Sequence, residues 1–256
     1  MLKDIIIAIK AYGQAHAFIR RHNLWKWIII PGLVYMVMFC ISIYFFGKSA
    51  NYVIEFLSVK TGVHKWIESI RSTMAGFLFV LAGIMLWLVL MLLYFSLFKY
   101  VWLIIGSPIF AYLSEKTETI LEGKEYKYSN TQYLKDIIRG IGIALRNTLW
   151  QTVYLISFII LSFIPIAGWA IPVFALLVEC YYYGFSMLDY SLERHQLTAA
   201  ESIHFINNKK GLAIANGLLF YLMHLIPIVG WIFAPAYAVI AATLSIYKVQ
   251  NHDFLD

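Results

Sequence analysis

Three kinds of chemistry-bearing residues in this chain stand against long apolar runs. The first is the stretch Arg20-Arg21-His22-Asn23-Leu24-Trp25-Lys26, directly before a charge-free run over residues 27–47. Asn23 is a favoured helix N-cap, so the amides of Leu24, Trp25 and Lys26 are expected as unpaired donors of a first helical turn. Free N–H groups, the positive end of a helix dipole and the cations Lys26, Arg20 and Arg21 would together hold an inorganic oxyanion. The same stretch also reads as a positive anchor that orients a first membrane span.

The second kind is an ionisable residue inside an apolar run. Glu179 is flanked by Leu176, Leu177, Val178 and Cys180, and His224 lies three residues before Pro227. Such residues are costly in a membrane and mark polar or proton-handling sites. The structural alternative gives Glu179 a hydrogen bond to a tyrosine or a helix end, and gives His224 a polar contact. Asp189, at the end of the same run as Glu179, reads as an exit cap and ion pair with Arg194.

The third kind is a repeated phrase. Pro165-Ile166-Ala167-Gly168-Trp169 is followed by Pro172, and Pro227-Ile228-Val229-Gly230-Trp231 by Pro235. Proline removes a helix hydrogen bond and glycine relaxes the backbone, so each phrase breaks a helix. In hydrocarbon a break is tolerated only where protein or a water-filled cavity covers it, as in transporters. Residues 153–164 before the first break would rise only about 18 Å as a helix, against a hydrocarbon core of roughly 30 Å. Pro165, Gly168, Pro227 and Gly230 are therefore expected at the tips of hairpins that enter and leave on one face. Two ordinary pairs of spans with tight loops is the competing reading, which Trp169 and Trp231 favour because Trp prefers the interface.

No enzymatic constellation is present. The chain lacks a phosphate-cradling Gly-rich loop, an H-E-x-x-H and a G-x-S-x-G, and its histidines have no ligand spacing. No enzyme activity, cofactor or metal site is expected, and no nucleotide-driven step. Cys40 and Cys180 lie within apolar runs and read as small buried hydrophobes. The net charge of +6 is modest, and Lys and Arg gather beside the apolar runs. That pattern suits anionic headgroups and excludes a nucleic-acid partner.

These residues need elements to position them. Hydrophobic residues make up 61% of the chain and charged ones 13%, and charges are absent from residues 27–47, 72–98, 147–178 and 211–247. Each run reaches the length of about 20 residues that a spanning helix needs. The expected fold is an all-α integral membrane protein, a single membrane domain over residues 1–256. Residues 1–26 give an amphipathic helix, with Leu2, Ile5, Ile6, Ile9 and Tyr12 on one face, followed by the basic approach. That helix would lie in the headgroup plane or pack on its own chain. Spans follow at 27–47 and 74–105, polar cytoplasmic helices at 106–150, and hairpins at 151–188 and 211–248. A mixed loop is expected over 47–71 with a short helix at 63–70, and a loop at 126–132. With two true spans the Lys/Arg excess puts both termini in the cytoplasm, and the basic 47–73 loop leaves an inverted or mixed orientation as the alternative.

The run Ile105-Gly106-Ser107-Pro108-Ile109-Phe110-Ala111-Tyr112-Leu113-Ser114-Glu115-Lys116 resembles a segment of the CysZ-type sulfate permeases, whose membrane domain is shared with the eukaryotic etoposide-induced 2.4 proteins. Both broken hairpins, the Leu188-Asp189-Tyr190 exit with Arg194 and Glu201, and the basic stretch before Pro31 fit the same family in order. The resemblance implies a bacterial inner-membrane permease that admits sulfate or a similar oxyanion for sulfur assimilation and cysteine biosynthesis. It further implies two long spanning helices, two partly penetrating hairpins, and homo-oligomers built from dimers. A Gly-Leu-Arg type motif before the first span is linked in that family to sulfate binding. By distance from Pro31 it falls on Asn23, Leu24, Trp25 and Lys26. Here Asn23 replaces the usual Gly and Trp25 the first Arg, leaving Lys26 with Arg20 and Arg21 one turn earlier. A non-transporting scaffold that binds lipid and partner helices is the alternative function.

Overall fold

A computed structural model describes residues 1–60, 74–123, 130–162, 169–195 and 197–253. Among them every regular element is a helix: α1 Leu2–Arg21, α2 Trp25–Lys60, α3 Met74–Glu122, α4 Asn130–Ser162, α5 Ile171–Arg194, α6 Ala199–Asn208, α7 Lys210–His224 and α8 Val229–Asp253. Stretches long and apolar enough to cross a bilayer lie at Trp25–Ser49, Ile138–Ser162, Ile171–Arg194 and Val229–Gln250. The protein is an all-α integral membrane protein.

The helices outrun the sequence expectation. α2 passes through Gly47 and reaches Lys60, where a loop over 47–71 was expected. α3 has 49 residues and includes what reads as a second span and a separate polar helix. Pro108 inside α3 cannot donate to the Ile104 carbonyl, but the Ser107 hydroxyl does so instead at 2.9 Å. The Ser-Pro pair thus leaves the helix unbroken. Gly123, at φ 68°, ends it. α4 is likewise one helix of 33 residues, from the polar stretch into the first hairpin. Between them, Thr148 bonds the Ala144 carbonyl and buried Asn147 accepts from Arg146, so no break is needed there. The expected helix at 63–70, residues 126–129 of the expected loop, and the tip residues Pro165 and Gly168 lie outside the described residues.

α5, α7 and α8 form the centre. α5 and α7 approach so closely that a Cβ on Gly184 would strike the Ala213 carbonyl, and a Cβ on Gly217 the Cys180 carbonyl. Small residues at such crossings let backbones pack where lipid supplies no hydrophobic drive. α1 packs on α7 and α8 through Ala8, Ala11, Ala15 and Ile19, all fully buried. Tyr12 donates to the Asn216 carbonyl at 2.9 Å, and Asn216 donates to the Ala238 carbonyl at 3.1 Å. The expected apolar face is only partly used, because Leu2, Ile6 and Ile9 stay exposed. Small alanines, rather than the bulky residues, make the close contact.

The second hairpin breaks where expected. α7 ends at His224, Ile228 takes a left-handed φ of 64°, and α8 starts at Val229. Gly230 lets the first turn of α8 lie against the Met223 carbonyl, and the Trp231 indole caps α7 by donating to the His224 carbonyl at 3.1 Å. This tip meets α2 between Gly32, against Ile232, and Phe39, whose ring is 4.5 Å from His224 and 5.0 Å from Trp231. Those positions lie about 8 to 18 Å along α2 from Trp27, well short of the roughly 30 Å core. Farther along, α2 pairs with α3, Phe46 lying 5.1 Å from Tyr94.

Candidate functional site

The corner between α1 and α2 is built differently from the sequence expectation. Asn23 is not the N-cap of α2. It sits in the left-handed region at φ 54°, the position after the end of α1. The amide of Leu24 is not free either, since it donates to the Ile19 carbonyl at 3.1 Å, and His22 donates to Phe18. This is a Schellman ending with Asn in the usual glycine place, and Leu24 and Ile19 are buried together beneath it. Leu24 in turn accepts from Trp27 at 3.0 Å. The first donors of α2 are therefore Trp25 and Lys26, whose partners within the helix do not exist. Arg20, Arg21 and Lys26 are exposed around the corner, and among the described residues none of them is in an ion pair. Trp25 is half-buried, its ring edge-on to Phe233 at 6.0 Å. The corner thus offers cations and two amides at the positive end of a long helix.

Glu179 lies in a second site, inside the bundle, and its main partner is one the sequence reading missed. Lys99 of α3 donates to Glu179 Oε1 at 2.8 Å, and Tyr221 of α7 donates to the same oxygen at 2.6 Å. Gln151 of α4 donates to Oε2, and Tyr100 donates to Gln151 at 2.7 Å. The Lys99 and Glu179 side chains are 8% and 3% exposed. The pairings of Tyr35 with Trp102 and of Phe46 with Tyr94 place Lys99 between two rungs of the α2–α3 ladder, within the apolar thickness. One carboxylate on α5 therefore ties that helix to α3, α4 and α7 by charge and hydrogen bonds. His224 is one turn beyond Tyr221. Its ring stacks on Phe220 at 5.3 Å among Tyr35, Phe39 and Trp231, and its Nδ1 is buried with no hydrogen-bond partner.

At the polar end, Asp189 pairs with Arg139 rather than with Arg194. Arg139 Nη2 is 2.9 Å from Asp189 Oδ1, and the same guanidinium reaches Ser202 and the Leu197 carbonyl. Arg194 pairs with Glu115 and Glu193, and His195 with Glu118 at 3.0 Å. The expectation failed because helix spacing favours i, i+5 neighbours less than the cross-helix fork that Arg139 supplies from α4. Glu201 instead closes a capping box with Thr198 at the start of α6.

Comparison with known proteins adds a family. The family model described as "Sulfate transporter CysZ/Etoposide-induced protein 2.4" matches residues 11–235. A sulfate transporter CysZ from Pseudomonas syringae pv. tomato is 28% identical over 240 residues, 90% of this chain and 91% of the relative. One from Pseudomonas paraeruginosa is 26% identical over 91% of each chain. One from Pseudomonas fluorescens is 25% identical, over 85% of this chain and 83% of the relative.

Proposed function

Because the chain belongs to the sulfate transporter CysZ/etoposide-induced protein 2.4 family, we propose that it carries sulfate or a related oxyanion across a bacterial inner membrane and feeds sulfur assimilation towards cysteine. The observation that carries this reading is the α1–α2 corner, where Lys26, Arg20 and Arg21 are exposed and, among the described residues, without ion-pair partners beside the first amides of α2. An oxyanion there takes hydrogen bonds from the Trp25 and Lys26 amides and charge from the three side chains. Lysine is a point charge without the planar fork of arginine, so Lys26 attracts the anion while Arg20 and Arg21 can grip it. The hairpin tip at Pro227 and Gly230 shapes the path. The Lys99–Glu179 pair sits in the way as a polar barrier within the apolar thickness, with His224 beyond it. Homo-oligomers built from dimers and cytoplasmic termini belong to the same reading.

The test is uptake of radiolabelled sulfate into proteoliposomes. The parent is expected to exceed empty vesicles, and Lys26→Ala to raise the half-saturating sulfate concentration roughly tenfold, the loss of one charge-assisted hydrogen bond. Arg20→Ala with Arg21→Ala adds to it. Parent vesicles that take up no more sulfate than empty ones would overturn the transport reading, and unchanged saturation in all these variants would remove the corner from it.

A further inference from the structure

A groove of about 540 Å³ opens on the outer face of the bundle between α4, α5 and α7. It is independent of the corner described above. Its volume is that of a small-molecule site, roughly 300 to 1,000 Å³. Two cations, Arg146 and Lys210, contribute to its lining, and no lining residue is acidic. Arg146 gives a hydrogen bond to Asn147 at 3.0 Å, and among the described residues neither cation is in an ion pair. The rest of the lining is mostly apolar and aromatic. Trp150, Tyr154 and Phe158 follow Arg146 at four-residue spacing on one face of α4, and Phe174 and Leu177 of α5 face them. Trp150 is 51% exposed, Tyr154 44% and Phe174 54%.

The two cations stand at the borders of the apolar sequence. Arg146 is the last charge before the charge-free residues 147–178, and Lys210 the last before residues 211–247. From Arg146 to Phe158 the α4 face runs about 18 Å, close to the roughly 15 Å of one leaflet's hydrocarbon. We propose that this groove binds one anionic phospholipid, with its phosphate at Arg146 and Lys210 and an acyl chain along the Trp150–Tyr154–Phe158 stripe. Charge complementarity selects the lipid class, since basic pockets between membrane helices take anionic headgroups. The flat aromatic faces suit a chain and not a second phosphate.

The experiment uses the full chain, purified and placed in vesicles or nanodiscs of phosphatidylcholine with or without phosphatidylglycerol. Native mass spectrometry and retained-lipid assay read the bound lipid. The parent is expected to retain phosphatidylglycerol over phosphatidylcholine. Arg146→Gln with Lys210→Gln lowers that preference roughly 25-fold, at about 5-fold per cation. Leu177→Trp fills the trough while keeping both charges, and is expected to expel the lipid from a protein that still folds. Equal retention of both lipids by the parent, or an unchanged preference in the double variant, overturns the proposal. A change of oligomer mass on either substitution, with lipid retention unchanged, also overturns it and makes the groove a contact between copies of the chain.

Discussion

Replacing Lys99 by methionine removes one ammonium from the interior of the bundle and changes side-chain volume little. Glu179 is then left among Gln151 and Tyr221 without a cation, 3% exposed and within the apolar thickness. Removing one partner of a buried ion pair costs about 3 to 5 kcal/mol, because the other charge stays desolvated and uncompensated. At about 2 to 4 °C per kcal/mol for a chain of this size, the melting temperature should fall by on the order of 10 °C. Replacing both members, Lys99→Met with Glu179→Leu, removes the stranded charge. The double variant should therefore recover most of the loss and end within about 1 to 2 kcal/mol of the parent. Tryptophan fluorescence of the protein in nanodiscs, followed through thermal unfolding, measures all four corners of the cycle. A single variant as stable as the parent, or a double variant as unstable as the summed singles, would refute the claim that the pair locks α3 to the hairpins.

Gly217→Ala drives a methyl into the Cys180 carbonyl and should cost about 1 to 3 kcal/mol, whereas Gly13→Ala, with open space beside it on α1, should stabilise by about 0.5 to 1 kcal/mol; opposite shifts in melting temperature check both. The hydrogen bond to Glu118 raises the pKa of His195 above its ordinary 6.5, against the opposing effect of burial. Stability from this pair is fully present below about pH 6.5 and is lost as pH rises through the raised value, so a pH series of melting temperatures should decline there in the parent and be flatter in His195→Gln. Arg139→Ala should destabilise by about 3 to 5 kcal/mol by stranding buried Asp189, and Arg139→Lys should rescue only part of it because one ammonium cannot replace the fork; denaturation monitored by fluorescence separates the two.

The apolar runs and the Pro-x-x-Gly-Trp phrases were legible in the sequence because hydrocarbon leaves few choices: the helices had to be there, and the second phrase does turn the chain between α7 and α8. Helix ends were less legible. Gly47 and Ser107-Pro108 look like interruptions, yet α2 runs on through the first and a serine hydroxyl carries α3 past the second. Asn23 shows how local chemistry can point two ways, since the same side chain favours an N-cap and a left-handed helix end. Only the buried Ile19–Leu24 contact decides between them. Lys99 was visible as a charge between apolar residues, but its partner lies 80 positions away on another helix. No spacing rule reaches that far, and the same holds for Arg139 and Asp189.

The serine that supplies a donor beside Pro108 has a mechanical consequence. With it α3 runs as one helix of about 73 Å, more than twice the roughly 30 Å thickness of a bilayer's hydrocarbon. Such a rod is a lever. Pivoted at one end, it moves its other end by about 6 Å for each 5° of tilt. The charged turn around Glu115 and Glu118, the bulk of the bundle beside Lys99, and the far pairing with α2 therefore travel together when α3 leans.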